Sequence, residues 1–356
     1  MAYRAPRIED RGALAKWFEP PAIGAMAPGT KIIVYSLLAI WTLFVLFPIY
    51  WLLITSFKSA ADVNNGPFFI PFVDYQPTLQ AWRDLFVLDW QDTIRAYLNS
   101  MVIAVCATAL CVLIGSMAAY ALARITYRPN LVTILIFVAI AAGVIYTAFA
   151  LGFDWRVSAA VGAALFFFLA RAIGRRYKIH LGNGDILFWM ISQRILPPVV
   201  VVIPVYMMFQ SVGLLDTHIA IILTYAVINL PIVVWLMYDF FDSIPKDLEE
   251  SAQLDGATRI MTFREIVLPL SRAGLAAVTL LVIILCWNEY LLALFLSTTE
   301  AQTMPILVSA MNAGERGILW WTMSAVIIVM IIPVIAMAAV LQKFISKGIL
   351  LGAVKG

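Results

Sequence analysis

Residues 287–290 read Trp-Asn-Glu-Tyr in the middle of an apolar run. An indole, a carboxamide, a carboxylate and a phenol so close together can hydrogen-bond to and stack against a polar, sugar-like solute. Glu289 lies about 15 residues into that run, roughly 22 Å from its inner edge at 1.5 Å per residue. An ionisable group at such depth is a functional candidate. The plain alternative is a hydrogen bond that holds helices together. Arg194 sits in another apolar run, beside Gln193 and ahead of Pro197-Pro198, where a long side chain can snorkel to the nearer surface. Asn99 and Asn229 suit packing contacts, and Asn99 also joins Trp287, Asn288, Glu289 and Tyr290 as a candidate residue of a solute pathway.

Other chemistry is thinly represented. His180 and His218 are isolated at the edges of loops, and Cys106, Cys111 and Cys286 lie inside apolar runs. Such an odd set does not form a disulfide framework and reads as small hydrophobes. No metal-ligand spacing is present, nor any Ser-His-Asp, HExxH or paired-carboxylate arrangement. The GxxxxGK[ST] phosphate loop is missing too. We therefore assign no catalytic residue, no metal site and no cofactor to this chain.

The elements that must position these residues follow from composition. The chain is 63% hydrophobic and 13% charged, with a mean hydropathy of +0.93. A soluble domain carries about 25% charged residues. Apolar runs near 31–56, 97–123, 131–152, 157–173, 186–211, 218–241, 273–297 and 319–344 reach the roughly 20 residues that cross a bilayer. The expected fold is all-α, a polytopic bundle of about eight spans. An even count puts both termini on one face. Arg4, Arg7, Arg11, Lys16, Lys31, Arg124, Arg128, Arg171, Arg175, Arg176, Lys178, Lys246, Arg259, Arg264, Arg272, Lys343, Lys347 and Lys355 all fall there, 18 of the 24 basic residues. Basic residues mark the cytoplasmic face. Residues 1–30 then form a cytoplasmic arm without the plan of a signal peptide. The transmembrane domain spans 31–345, and 346–356 is a cytoplasmic tail. The outer side carries loop 58–95, with PFFIPF and the aromatics Trp82, Trp90 and Tyr97, and loop 298–318. Pro48, Pro197, Pro198, Pro204, Pro231 and Pro333 can kink their helices.

One cytoplasmic stretch, 242–272, is too patterned for a simple turn. Ser243 and Pro245 look like a helix start, followed by a helix from Lys246 to Leu254. Gly256 permits a turn most residues resist. Asp255 can cap a second helix over 257–267, on which Ile260, Phe263 and Val267 would form an apolar stripe before Pro269 ends it. The product is a compact knob suited to protein docking.

Glu250-Ser251-Ala252, three residues, Gly256, nine residues, Ile266, one residue, then Leu268-Pro269 resembles the EAA signature of permease subunits from bacterial binding-protein-dependent ABC importers. The family usually has Ala where Ser251 stands. YLNS (97–100), AAYALAR (118–124), ILPPVVVVIPVY (195–206), VGLLDT (212–217), WNEY (287–290), TMPI (303–306) and the ending QKFISKGILLGAVKG (342–356) are similar to the carbohydrate, maltose-permease-like branch. The resemblance covers roughly 31–126 and 183–356. It implies a six-span core, with 127–182 an inserted two-span hairpin. It implies that 242–272 is a coupling loop seated in a separate ATPase, with Glu250, Ser251, Ala252, Asp255, Gly256, Arg259, Leu268 and Pro269 shaping that contact and Lys355 and Gly356 reaching the ATPase dimer. ATP and Mg would bind to the ATPase. Further implied partners are a second permease subunit, a periplasmic or lipid-anchored solute-binding protein and membrane lipid, with no nucleic acid. The location implied is the bacterial cytoplasmic (inner) membrane, and the cargo a sugar, polyol or related polar solute. An ion- or proton-coupled secondary transporter using Glu289 or Arg194 is the alternative, and a membrane enzyme a third reading.

Overall fold

Lipid offers no hydrogen-bond partner to a backbone N–H or C=O, so a spanning segment must satisfy itself as a helix. The computed structural model describes residues 17–18, 25–174, 176–177, 179–311 and 319–345, and they form helices with no strand among them. Six helices are long and apolar enough to cross a membrane, or up to eight if each of two bent pairs is one span. The chain divides into two units, residues 1–93 with 308–331 and residues 94–307 with 332–356.

In the first unit, helix α1 (Pro28–Thr55) is apolar all round and buries only Gly29, Ile54 and Thr55. A helix apolar on every face belongs in lipid or against other spans. The segment that follows is firmly tied. Lys58 is 2% exposed, donates to the Phe68 carbonyl at 2.6 Å, and stands 4.3 Å from the Trp51 ring centroid. Burial holds its ammonium below the ordinary lysine value, against the pull of Asp62 and Asp74. Ser59 and Asp62 close a capping box on α2 (Ala60–Asn65). The Asp74 carboxylate accepts from the Phe69 and Ile70 N–H groups at 2.8 Å each, which orders the PFFIPF stretch. Helix α3 (Gln80–Arg83) runs on into a π turn, Asp84–Leu88.

In the second unit, α4 (Trp90–Arg124) continues unbroken to its basic end. Beyond it, α5 (Leu131–Phe149) and α6 (Trp155–Leu169) form the expected helical hairpin, N-capped by Asn130 and Asp154. Its neck is sewn by Leu131 N–H to the Ile179 carbonyl at 2.8 Å and Leu181 N–H to the Pro129 carbonyl at 2.9 Å. Asn183 donates to the Leu122 and Ile125 carbonyls at the end of α4, at 2.6 and 2.7 Å. The two helices close at Gly162, where an added Cβ would stand 2.3 Å from Val144 Cγ2. Overpacking of this kind costs about 1–3 kcal/mol. Gly162→Leu is expected to pry α5 from α6 and to raise hydrogen exchange over 131–169 about tenfold; unchanged exchange would show that the pair does not close there.

Helix α7 (Asn183–Ser192) tightens into a 3₁₀ turn, Gln193–Ile195. The chain then bends by 89° into α8 (Pro198–Ser211), so the Pro197-Pro198 pair breaks this span. Helix α9 (His218–Asp242) is the core of the unit, burying Ile221, Tyr225, Asn229, Val233, Met237 and Phe241. These recur at the spacing of one helix face. Helix α10 (Lys246–Leu254) and α11 (Arg259–Thr262) follow, the latter extended by a π turn (Phe263–Val267) and a last turn (Leu268–Leu270). The chain bends by 80° into α12 (Arg272–Trp287). The expected span over 273–297 is not continuous: α12 stops at Trp287 and α13 (Leu291–Leu296) resumes after a break at 288–290. Helices α14 (Met304–Ala310) and α15 (Trp320–Ile345) follow, with residues 308–331 counted to the first unit. Pro48, Pro204, Pro231 and Pro333 sit inside helices that continue past them.

Candidate functional site

The polar loop folds into a knob anchored from behind by one residue. Glu249, on the inner face of α10, is 3% exposed. Its carboxylate accepts from Arg124 Nε at 2.6 Å and from the Tyr120 hydroxyl at 2.7 Å. Arg124 Nη2 also donates to the Phe241 and Ile244 carbonyls, at 2.8 and 3.1 Å. The last turn of α4 therefore holds both the end of α9 and the start of α10. The Tyr120 ring lies tilted by 36° against Phe263 with centroids 4.8 Å apart, and Phe241 meets Phe263 at 5.9 Å. Glu250 and Arg259 line a cavity of about 300 Å³ with Tyr120, Arg124 and Glu249. A signature that begins at Glu250 gives no hint that its neighbour Glu249 is the anchor, or that Arg124 and Tyr120 are its partners.

The turn behaves as expected at Gly256, where φ is +89° and an added Cβ would meet nothing within 4 Å. The glycine is required there for backbone conformation rather than for space. Two expectations are corrected. Asp255 does not cap the second helix. Thr258 does, its hydroxyl accepting from the Met261 N–H at 3.3 Å, because the chain is still turning at Gly256 and the helix begins only at Arg259. The stripe also fails at Ile260, which is 79% exposed, while Val267 is fully buried. Ile260 precedes the π turn at 263–267, and at about 100° per residue it stands roughly 90° from the centre of the face that turns inward. Thr262, Phe263, Ile266 and Val267 turn inward instead. Pro269 lies inside the final turn, and the bend falls at Ser271. The knob thus presents Leu254, 90% exposed, with Ile260 and Met261, beside exposed Glu250, Ser251, Asp255, Gly256, Arg259 and Pro269, with Ala252 and Leu268 half-buried.

The 287–290 cluster occupies the break between α12 and α13. Glu289 Oε1 accepts from the Leu292 N–H at 2.7 Å, so this carboxylate caps α13. The Glu289 carbonyl accepts from the Tyr225 hydroxyl at 3.1 Å. Trp287 is buried, its ring edge-on to Tyr97 at 5.4 Å. Asn288 is exposed and donates to the Ile284 carbonyl at 2.8 Å; Glu289 and Tyr290 are half-buried. Unwound backbone between half-helices at this depth is where transporter bundles build solute sites. Arg194 is exposed but not unattached. Its guanidinium donates to Asn229 Oδ1, and Asn229 Nδ2 donates to the Tyr225 carbonyl at 2.9 Å. The bend after Ile195 leaves Arg194 facing α9.

A second polar cluster gathers at the other end of α4. Asn99 Nδ2 donates to the Glu300 and Gln302 carbonyls at 2.8 and 3.0 Å. With its amine committed, Oδ1 must accept, so His218 Nε2, at 2.8 Å, carries the proton. His180 is not isolated either: its Nδ1 lies 3.0 Å from the Arg128 carbonyl. Ser100 Oγ accepts from the Met304 N–H at 2.8 Å. Asp216, at φ 58°, accepts from the backbone N–H groups of Thr298, Thr299, Glu300 and Ala301 and from the Thr298 hydroxyl. Burial pushes its carboxyl pKa up, but these donors outweigh it and hold the group well below the usual carboxylate range. The cysteines carry no disulfide; Cys111 and Cys286 are buried, whereas Cys106 is exposed. Lys355 and Gly356 lie outside the described residues.

Residues 184–350, which include the knob, match the family model described as "Binding-protein-dependent transport system inner membrane component". The chain is 30% identical to the trehalose/maltose transport system permease protein MalG of Thermococcus litoralis, over 87% of this chain and 92% of that protein. It is 28% identical to the inner membrane ABC transporter permease protein YcjP of Escherichia coli, over 90% and 95%. Its fold matches a bacterial ABC transporter involved in the import of the acidic polysaccharide alginate, with a TM-score of 0.58 and 23% identity, over 88% of this chain and 95% of that one. The chain belongs to the family of binding-protein-dependent transport system inner membrane components, the permease subunits of ABC importers.

Proposed function

We propose that this permease moves a sugar or related polar solute across the bacterial inner membrane by alternating access, with its coupling loop docked on a separate ATPase that binds ATP and Mg. The observation that carries the reading is the knob: a loop locked from inside by Glu249 on Arg124 while Leu254 and Ile260 face outward with nothing over them. A surface built so rigidly, with its apolar groups outside, suits a protein cleft. The permease relative of Thermococcus litoralis is named for trehalose and maltose, which supports a saccharide here. A second permease subunit would complete the pathway, a periplasmic or lipid-anchored binding protein would deliver the solute, and both termini would lie in the cytoplasm. The break at 288–290 offers the exposed Asn288 and half-buried Glu289 and Tyr290 as solute contacts, with Trp287 and Asn99 as their support. A secondary transporter would need a free coupling charge at Glu289 or Arg194. Glu289 caps α13 and Arg194 is held by Asn229.

Gly256→Arg tests the reading. No internal atom obstructs the new side chain, so the protein is expected to insert normally. The left-handed backbone strain of about 1–2 kcal/mol and the added bulk on the docking face are expected to abolish uptake of the solute held by the associated binding protein. Normal uptake by this variant, with no ATPase co-purifying, would sink the importer reading.

A further inference from the structure

We infer that α4 is a rigid rod joining the coupling loop to the outer loop 298–304, and that Asp216 is the positioning residue that fixes its outer end; this rests on the importer reading above. At the inner end, Arg124 and Tyr120 hold Glu249 of the knob. At the outer end, Asn99 and Ser100 hold Glu300, Gln302 and Met304. The two anchor points are 25 residues apart on one helix, about 37 Å at 1.5 Å per residue. No proline interrupts that length. One face of the rod is packed throughout by small side chains, Ala104, Ala107, Cys111 and Ala119, each at most 1% exposed. Gly115 extends this seam, set so tightly against Val233 that a Cβ would come within 2.6 Å of it. Small residues at such spacing let helices pack closely.

Asn99 and Ser100 hold the outer loop from α4, and an exposed Arg95–Glu300 pair at 3.7 Å adds little. Asp216 supplies the rest: its N–H donates to the Leu296 carbonyl at 2.8 Å. Its one carboxylate gathers four consecutive backbone N–H groups, 298–301, and binds them to the turn that enters α9. The left-handed φ of 58° is uncommon outside glycine, and strain of that kind persists where the surroundings dictate it. The 298–301 stretch is also the direct continuation of α13. Displacement of the knob by the ATPase therefore reaches the outer loop and the half-helix beginning after Glu289 as one rigid-body movement, rather than fading through a flexible chain.

The test uses the whole complex of permease pair and ATPase in lipid nanodiscs, with Cys106→Ser removing the exposed thiol. Spin labels are placed at Asp247→Cys on the knob and Glu300→Cys on the outer loop, and the probe is MgATP with vanadate. The distance between the labels is expected to stay constant to within about half a helical turn between the nucleotide-free and trapped states. A change of about one full turn, 5.4 Å, overturns the rod. In Asp216→Ala the distance distribution is expected to broaden at least twofold while basal ATP hydrolysis is retained; a distribution as narrow as the parent's overturns the role of Asp216. If Asp216→Ala does not assemble, Asp216→Asn carries the test, since one remaining acceptor oxygen must give a width between those of parent and loose loop, and a parental width again overturns the proposal. A chain that binds no ATPase defeats the importer reading itself, whereas a bound ATPase with an unsteady label distance defeats this inference alone.

Discussion

Glu249→Ala is expected to cost about 3–5 kcal/mol of local stability at the knob, because it leaves a buried guanidinium without its counter-charge. The Arg124 and Glu249 side chains are only 11% and 5% exposed, so the pair is largely shielded from water. Tyr120 also loses its acceptor. The knob would then swing on its two connections to α9 and α12, and solute uptake should fall by two or more orders of magnitude while the spans stay inserted. Hydrogen exchange over 246–262 reports the loosening directly. The paired replacement Arg124→Met with Glu249→Leu separates anchoring from charge. A well-packed apolar pair is often as stable as the buried ion pair it replaces, so exchange protection should largely return. Two results would defeat the anchor: parental protection over 246–262 in Glu249→Ala, or a double variant no better protected than the single one.

The spans were legible because lipid imposes one rule on every residue in them: long apolar runs, closed by helical hydrogen bonds. The break at Pro197-Pro198 was half visible for the same kind of reason, since proline lacks a donor. The break at 288–290 was not. It contains neither Gly nor Pro, and it exists because the Glu289 side chain supplies the cap for α13; a carboxylate deep in an apolar run reads equally well as a solute ligand. In the knob, α10 was legible from its bounds and Gly256, whereas the π turn was not, because its extra residue per turn leaves no mark on a 3.6-residue pattern. Ile260 was misjudged for a different reason: the inward face is set by Thr262, Phe263, Ile266 and Val267, and a stripe drawn through Ile260 lies to one side of it. The anchors were hidden by distance along the chain. Arg124 and Glu249, or Asp216 and Thr298, are neighbours only in the fold, and each residue alone reads as an ordinary charge at a helix end or in a loop.

The displaced Ile260 leads to the second large effect. Leu254 and Ile260 are 90% and 79% exposed, so neither contributes much to the fold, and replacing each by glutamate should change the stability of the isolated permease by no more than about 0.5 kcal/mol. Docking is another matter. Burying a leucine or isoleucine side chain in a partner's cleft contributes about 1.5–3 kcal/mol, and a carboxylate forced into the same place adds a desolvation penalty. The double variant Leu254→Glu/Ile260→Glu should therefore lower ATPase retention on an affinity-tagged permease by 100-fold or more. Met261→Glu, at the edge of the same patch and 48% exposed, should have a smaller effect. The pattern distinguishes docking from folding, since Glu249→Ala loosens the knob whether or not the ATPase is present, whereas Leu254→Glu/Ile260→Glu leaves the knob's own exchange rates intact and removes only the partner. Full ATPase retention by the double variant would mean that the apolar tip lies outside the interface, and that the charged residues Glu250, Asp255 and Arg259 carry the contact instead.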